Sequence, residues 1–293
     1  MPNLKDIRIR INSVRTTRQV TSAMKMVSAA KFKKAQDDIT HIRPYVERLA
    51  GIIFDLTSTL EEGIEFEWSE ERDPNKILIV VFSSNRGLCG AFNTNVVKET
   101  EKVIRSQFPA QFKNGDLDIF AVGKQVQKLL RIHGYPVTKD FNDIYSHLSF
   151  EAVVDIANEL MHDFESKKYD RIVLIYNEFV NAAVQTVQAE QFLPLQLPEL
   201  ASNGKGMTNY IIEPDKPTFI KTIIPKALKT MFYRVILESL ASEHGARMTS
   251  MHKATDNATE MLGDLRLMYN KARQGAITTE ILEIVGGAEA LKK

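Results

Sequence analysis

Over most of the N-terminal sixty residues an apolar side chain occurs at every third or fourth position, and this spacing constrains the fold more than any other feature. The stripe comprises Ala35, Ile39, Ile42, Val46, Leu49, Ile53, Leu56 and Leu60, and the same register extends back through Phe32 to Val14, Ile11 and Ile7. Alternating steps of four and three place such residues on one face of an α-helix, as in a coiled coil. A helix over residues 4–62 would be roughly 90 Å long at about 1.5 Å per residue, so its stripe needs a partner helix.

The C-terminal region carries a second stripe with the same spacing. It comprises Leu237, Ala241, His244, Met248, Met251, Thr255, Ala258, Leu262, Leu265, Tyr269 and Ala272. The pattern predicts a helix that starts near Pro217 or Pro225 and continues to about Val285. Antiparallel pairing of the two helices would cover both stripes, because neither helix can bury its stripe alone.

If the two helices turn back near Ile64 and Pro217, equal rise along an antiparallel pair matches the start of the chain with about residue 280. The residues beyond that point would have no partner helix, yet several are apolar: Ile281, Leu282, Ile284, Val285 and Leu291. Apolar side chains without an internal partner need an external one, so we expect them to form a bearing inside a surrounding apolar sleeve. The alternative is a frayed chain end.

The middle of the chain alternates strand and helix patterns. Residues 77–82 form a continuous apolar run, which is typical of a strand buried on both faces of a parallel sheet. Further strands are predicted over residues 117–122, 135–139, 171–176, 183–193 and 210–212, with helices between several of them. The predicted fold is therefore α/β plus a long antiparallel coiled coil, with an N-terminal helix (1–64), a doubly wound α/β domain (65–214) and a C-terminal helix (215–293).

The charges are unevenly distributed although the formal net charge is only +1. The charged residues from Met1 to Gln36 are nine lysines and arginines and one acid, Asp6. The charged residues of Glu61–Asp73 are all acidic apart from Arg72. Such runs are often solvated surfaces, but they also suit partners of opposite charge.

Within the basic segment the stripe turns polar at Arg18, Thr21, Lys25 and Ser28, and an apolar set of Val20, Met24 and Val27 lies beside it. This mixture favours a protein partner with acidic and apolar patches. A coiled-coil nucleic-acid binder is the alternative, since basic helices in such proteins also lead into a zipper.

The loop over residues 83–92 follows a strand and precedes a helix, and it contains Gly87 and Gly90. It lacks the Lys-Ser/Thr ending of a P-loop and the three-glycine spacing of a dinucleotide site, which favours a tight turn.

Cys89 is the single cysteine and has no histidine nearby in sequence, so we expect a small buried thiol. No histidines occur in metal-binding spacing. We therefore predict no catalytic, cofactor or metal site, and an enzyme built on the central domain remains the alternative.

No stretch approaches the ~20 apolar residues of a membrane span, and the basic N-terminus does not resemble a secretory signal. These observations predict a soluble or peripheral protein.

Three segments together resemble the gamma subunits of F-type ATP synthases in their bacterial form. They are IRIRINSVRTTRQVTSAMKMVSAAKFKKAQ near the start, SSNRGLCGAFN after the first strand, and SEHGARMTSMHKATDNATEMLGDLRLMYNKARQGAITTEILEIVGGAEAL at the end. The resemblance implies a shaft inside a ring of three alpha and three beta subunits, with a foot that docks on the epsilon subunit and the membrane c-ring. Ion-driven rotation would then cycle the three catalytic sites of the ring, and the chain itself would need no cofactor.

The resemblance also implies a location on the cytoplasmic side of the bacterial inner membrane, with membrane contact only through the c-ring and no nucleic-acid partner. The ring-facing residues that it implies are Arg18, Met24, Lys25, Arg247, Arg273, Gln274 and Thr278, and the foot residues are Asn203, Tyr210 and Ile212. The loop departs from the family at Asn85 and Ala91, where aspartate and glycine are common.

Overall fold

A computed structural model describes residues 3–58, 68–146, 148–195, 212–213 and 215–290. In chain order the elements are α1 (Leu4–Ser58), β1 (Ile77–Phe82), α2 (Phe92–Gln107), α3 (Pro109–Asn114), β2 (Leu117–Val122), α4 (Lys124–Ile132), β3 (Lys139–Asp140), a 3-10 helix (Asn142–Tyr145), α5 (Phe150–Glu165), β4 (Arg171–Phe179), β5 (Gln185–Leu193) and α6 (Lys216–Ala290). The two long terminal helices and the central α/β region confirm the predicted fold class.

The described chain divides into two compact units, and each is described by itself. A helix-pair unit contains the residues up to Ser28 and from Met248 onward, and a sheet unit contains Ala29 to Arg247. This division lies inside both long helices, whereas the sequence-based division lies near their ends. The reason is that α1 and α6 side chains such as Leu49 and Phe232 are buried in the same core as the sheet.

In the helix-pair unit the two helices run antiparallel in one register. The hydroxyls of Thr21 and Thr255 share a 2.8 Å hydrogen bond, and the guanidinium of Arg8 donates to the hydroxyl of Tyr269 at 3.2 Å. The buried seam side chains of this unit are Ile7, Thr21, Ser28, Met251, Ala258, Leu262 and Leu265. All of them belong to the two predicted stripes, so the sequence identified the contact faces correctly.

The register itself differs from the expectation. The two cross-helix contacts pair residues whose numbers add up to 276 or 277, so Leu4 lies opposite about residue 272. The estimate from helix ends placed residue 277 there and was therefore wrong by about five residues. Side-chain contacts along the seam set the register, and the positions at which the two helices end do not.

The sheet unit contains a five-stranded sheet of order β3-β2-β1-β4-β5. Strands β1 to β4 are parallel, and β5 is an antiparallel strand at the edge of the sheet. All six residues of β1 are buried, which agrees with its continuous apolar sequence. The strand predicted over 135–139 is reduced to the two residues of β3, and neither α3 nor the 3-10 helix was predicted.

Two apolar cores cover the two faces of this sheet. One contains side chains of α2 and α4 such as Val97 and Leu130, and the other contains side chains of α5, α1 and α6. In the second core the ring of Phe82 in β1 lies edge-on to the ring of Phe232 in α6, with centroids 5.7 Å apart. The sheet is thus doubly covered, and part of each long helix supplies one of its layers.

Candidate coupling surfaces

The first candidate surface is the outer face of α1 in the helix-pair unit. Val20, Met26 and Val27 are all more than half exposed, whereas the polar stripe residues Thr21 and Ser28 are buried against α6. Of the predicted ring-facing residues on this helix, Arg18, Met24 and Lys25 are half-buried at the margin of the seam. Basic groups at the margin of the seam therefore lie beside apolar groups that α6 does not cover.

The second candidate surface is the α6 segment that follows the last residue opposite α1. It is exposed, and its apolar side chains have no cover within the described chain: Ile277, Ile281, Leu282, Ile284 and Val285. Ile284 is the most exposed of them, at 72%. We name these five residues the apolar tip. Leu291, which was predicted to belong with them, lies outside the described residues.

Three predicted ring-facing residues lie at the start of this unpaired segment. Arg273, Gln274 and Thr278 are all exposed, and the hydroxyl of Thr278 donates to the backbone oxygen of Gln274 at 2.9 Å. Residues four apart share a helix face, so Gln274 and Thr278 present neighbouring polar groups. The structure therefore brings these residues together next to the apolar tip.

Arg247 has a different environment, inside the sheet unit. It is only 8% exposed, and its guanidinium donates to the carboxylate of Glu243 at 2.5 Å and to the backbone oxygen of Arg86 at 2.8 Å. Burial raises the pKa of Glu243, and the neighbouring Arg247 opposes that shift. Sequence reasoning missed this pair, although the spacing of four residues between an acid and a base on a helix is a signal for it.

The loop between β1 and α2 is held by its own polar groups. The amide of Asn93 donates to Ser84 Oγ at 2.9 Å and to Cys89 Sγ at 3.2 Å. Cys89 is buried, and burial raises the pKa of its thiol, so the protonated and unreactive form is favoured. These contacts agree with a tight turn and a structural cysteine.

Asn85 is one of the two residues at which this loop departs from the family that the sequence resembles, and both the nitrogen and the oxygen of its side-chain amide are hydrogen-bonded. Its Nδ2 donates to the backbone oxygen of Asn142 at 2.9 Å, and its Oδ1 accepts from the backbone N–H of Lys124 at 3.0 Å. An ionised aspartate could accept the second bond but has no hydrogen to donate in the first. The asparagine therefore suits the neighbouring backbone of this chain.

The remaining predictions concern the foot, metals and membranes. Ile212 is half-buried against the second core of the sheet unit. Asn203, Tyr210 and the first two residues of the strand predicted over 210–212 lie outside the described residues. Within the described part of the chain, no group of three or more histidine, cysteine or acidic side chains could hold a metal ion. None of the helices described has a stretch apolar enough and long enough to span a membrane.

Comparisons with known proteins agree on one family. The family model described as ATP synthase matches residues 3–291. The chain is 51% identical to the ATP synthase gamma chain of Christiangramia forsetii over 291 residues and 53% identical to that of Flavobacterium johnsoniae over 295 residues, with 99% of both chains covered in each case.

Solved structures agree on the fold. A chain of the OSCP/F1/c-ring assembly of Euglena gracilis mitochondrial ATP synthase matches with a TM-score of 0.68 at 22% identity, covering 98% of this chain and 94% of that one. A chain of the rotor of the same enzyme matches with a TM-score of 0.64 at 21% identity, covering 94% and 98% respectively.

Proposed function

The chain belongs to the ATP synthase gamma chain family, and we propose that it is the central rotor shaft that couples ion-driven c-ring rotation to conformational cycling of a ring of three alpha and three beta subunits. In this role the chain transmits torque and contributes no catalytic residue, cofactor site or nucleic-acid contact. It would sit at the cytoplasmic side of the bacterial inner membrane as a peripheral subunit, with the membrane reached only through the c-ring.

The observation that carries the proposal is the apolar tip. Five large apolar side chains on one helix segment are exposed to water, and no α1 residue lies opposite them. Their exposure is unfavourable by about 25 cal/mol for each Å² of apolar surface that a partner could cover. A smooth apolar sleeve formed by the alpha and beta subunits would cover them, and it would allow rotation because apolar contacts have no preferred direction.

The outer face of α1 supports the same role through charge. Arg18 and Lys25 lie beside the exposed Val20 and Val27, so this face suits acidic and apolar segments of the catalytic subunits. Exposed ion pairs contribute only about 0–1 kcal/mol each. Individual contacts of that strength can form and break during rotation, while their sum still resists slippage.

The foot would contact the epsilon subunit and the c-ring through Asn203, Tyr210 and Ile212. The only one of these three that the structure describes is Ile212, which is half-buried on the core of the sheet unit. A foot anchored on that core would move together with the sheet.

A rotation assay on the purified complex tests the proposal. The whole complex is isolated from membranes by a tag on the beta subunit, its subunits are identified by mass, and a bead is attached at Lys98→Cys, an exposed position of α2. The buried Cys89 should stay unlabelled. Addition of ATP should rotate the bead in one direction. ATP hydrolysis without bead rotation, or a complex that lacks this chain, would contradict a shaft function.

The enzyme alternative predicts a different result for the isolated chain. A nucleotide site on the sheet unit would give saturable thermal stabilisation by ATP or a dinucleotide. We expect no such stabilisation, because the loop after β1 uses its polar groups internally.

A further inference from the structure

The end of β4 is bonded to both long helices within the sheet unit. The guanidinium of Arg43 in α1 donates from Nε to one carboxylate oxygen of Glu238 in α6 at 2.7 Å and from Nη2 to the other at 2.8 Å. The same Nη2 donates to the backbone oxygen of Phe179 at 2.7 Å, and the backbone N–H of Phe179 donates to Glu238 at 2.9 Å. Three elements distant in sequence therefore meet in one closed set of four hydrogen bonds, which we name the joint.

Burial of the carboxylate and of the strand end makes the geometry of the joint demanding, while the side chain of Arg43 is 37% exposed. Glu238 is 1% exposed and Phe179 is 7% exposed. A buried carboxylate is costly unless a well-placed cation and further donors satisfy it, and a two-pronged arginine contact is among the strongest and most directional ways to do so. Because Glu238 accepts from both Arg43 and the strand backbone, α6 cannot turn relative to β4 without breaking charged hydrogen bonds.

The β4–β5 hairpin has two further contacts with α6. The hydroxyl of Ser242 donates to the backbone oxygen of Asn177 at 3.1 Å, one turn along from Glu238. At Gly245 the helix approaches the hairpin so closely that an added Cβ would lie 3.3 Å from the backbone oxygen of Ala182. The hairpin therefore follows α6 over about two helical turns.

A second arginine–glutamate pair joins α6 to the other strand of the hairpin. Arg234 donates to both carboxylate oxygens of Glu190 in β5 at 2.9 Å, and the hydroxyl of Tyr176 in β4 donates to the same carboxylate at 2.6 Å. On the α1 side, the ring of Phe32 lies edge-on to the ring of Phe179, with centroids 5.5 Å apart. Apolar contact thus accompanies the polar bonds.

We propose that this joint is the torsional clamp of the rotor, which locks α1 and α6 against rotation relative to the sheet; the proposal rests on the shaft function proposed above. Apolar seam contacts hold two helices together but offer little directional resistance to twisting, because the hydrophobic effect depends on buried area and not on orientation. Hydrogen bonds weaken steeply when their angles change. Arg43 and Glu238 are positioning residues in this scheme, because they act through the helices and touch no substrate.

The test separates torque transmission from simple stability. The double variant Arg43→Met/Glu238→Gln removes both charges together, which avoids leaving a buried charge unpaired. The matched control Lys102→Met/Glu99→Gln removes an exposed ion pair on α2, where the two side chains are 2.9 Å apart. Purified complexes are reconstituted in liposomes, and ATP synthesis under an imposed ion gradient and ATP hydrolysis without a gradient are measured per assembled complex.

Hydrolysis without a gradient turns the rotor against little load, whereas synthesis needs full torque. We expect the synthesis-to-hydrolysis ratio of the joint variant to fall at least threefold and that of the control to stay unchanged. An unchanged ratio in the joint variant would overturn the clamp, while a wild-type complex that fails to couple at all would instead contradict the shaft function. If the double variant does not assemble, Arg43→Lys, which replaces the two-pronged guanidinium with a single nitrogen, is judged by the same ratio.

A covalent replacement of the joint gives a second readout. A Cβ at Gly245 would lie 3.4 Å from Cα of Ala182, so the two Cα atoms are within about 5 Å of each other, a separation that a disulfide between cysteines can span. Added to the joint variant, the pair Ala182→Cys/Gly245→Cys should restore the ratio after oxidation and lose it again on reduction. A synthesis-to-hydrolysis ratio that is the same in the oxidised and the reduced complex would show that twisting at this joint does not limit synthesis.

Discussion

His244 is a titratable side chain buried in the coiled-coil stripe where α6 passes through the sheet unit. Its Nδ1 finds no hydrogen-bond partner among the described residues. Burial, with a contribution from the cations Arg247 and Lys31, lowers its pKa to about 4. The folded chain therefore holds a neutral imidazole at neutral pH, and protonation is resisted by both the burial and the nearby positive charges.

This pKa shift predicts a pH-dependent loss of stability. Between pH 6.5 and pH 4 the unfolded chain binds a proton at His244, whereas the folded chain does not. The free energy of unfolding therefore falls as the pH falls. From pH 7 to pH 5 the loss attributable to this residue should be about 2 kcal/mol, at ~1.36 kcal/mol per pH unit below 6.5. Urea unfolding of His244→Gln should show a correspondingly smaller decrease than the wild-type chain. Equal decreases in both chains would contradict the assignment.

Gly123 is a position where the backbone excludes any side chain. Its φ is +114°, and a Cβ there would lie 2.3 Å from the backbone oxygen of Ser83. We expect Gly123→Ala to lower the free energy of unfolding by more than about 3 kcal/mol, because backbone strain and a clash with main chain add together. Gly87→Ala is the control, since nothing lies within 4 Å of a Cβ at that position. A loss of similar size in both variants would point away from a local clash.

At the scale of elements, the seam of the helix pair uses polar groups to define its register. Thr21 and Thr255 share a hydrogen bond across the helices, and Ser28 is buried a further seven residues along α1. Apolar side chains alone can slide by one heptad at modest cost, whereas a buried polar pair must meet its partner. The antiparallel register of this unit is thus specified by its least apolar stretch.

The apolar part of the seam should supply most of its stability. Leu262 is buried at a stripe position, and Leu267 on the same helix is exposed. Leu262→Ala should lower the free energy of unfolding by about 2–4 kcal/mol through lost burial and the cavity left behind. The exposed control Leu267→Ala should change it by no more than ~0.5 kcal/mol. Circular dichroism during chemical unfolding measures both, and equal effects would remove Leu262 from the seam.

At the scale of the whole molecule, the apolar tip should hold the shaft in its bearing. Deletion of residues 284–293 removes Ile284 and Val285, so we expect weaker assembly with the alpha and beta subunits and a lower melting temperature of the complex, with rotation retained. The control Glu280→Gln/Glu283→Gln changes charge on the same segment and should assemble normally. A truncated chain that assembles and melts like the full chain would show that this segment is only a chain end.

The basic face of α1 should act in coupling more than in assembly. Reversing Arg18→Glu and Lys25→Glu together should lower ATP synthesis per assembled complex several-fold, because acidic partner segments would meet like charge. Reversal of the exposed Arg10 and Arg15 is the matched control for net charge. Synthesis that stays unchanged in the first variant, or that falls equally in both, would contradict a specific contact at Arg18 and Lys25.

The sequence by itself determined the two stripes, the buried strands and the family. Helix faces and strand burial follow from the spacing of side chains within one short segment, so Ile7, Leu262 and the six residues of β1 could be assigned without coordinates. The order of the longer elements and the burial of Cys89 followed from the same local reasoning. Four residues of the apolar tip were also identified from the sequence, whereas Ile277 and the residue at which pairing ends were not.

Only the tertiary structure decided the contacts that join distant segments. Thr21 and Thr255 are 234 residues apart. Arg43 bonds directly to Glu238 at a separation of 195 residues, and the backbone of a third element bonds to both. Arg247 was grouped by resemblance with ring-facing residues, but its surroundings in the sheet unit are Glu243 and the loop after β1. Periodicity gives the face that a residue occupies and cannot give the distance to a partner far along the chain, because that distance depends on how all the intervening elements pack.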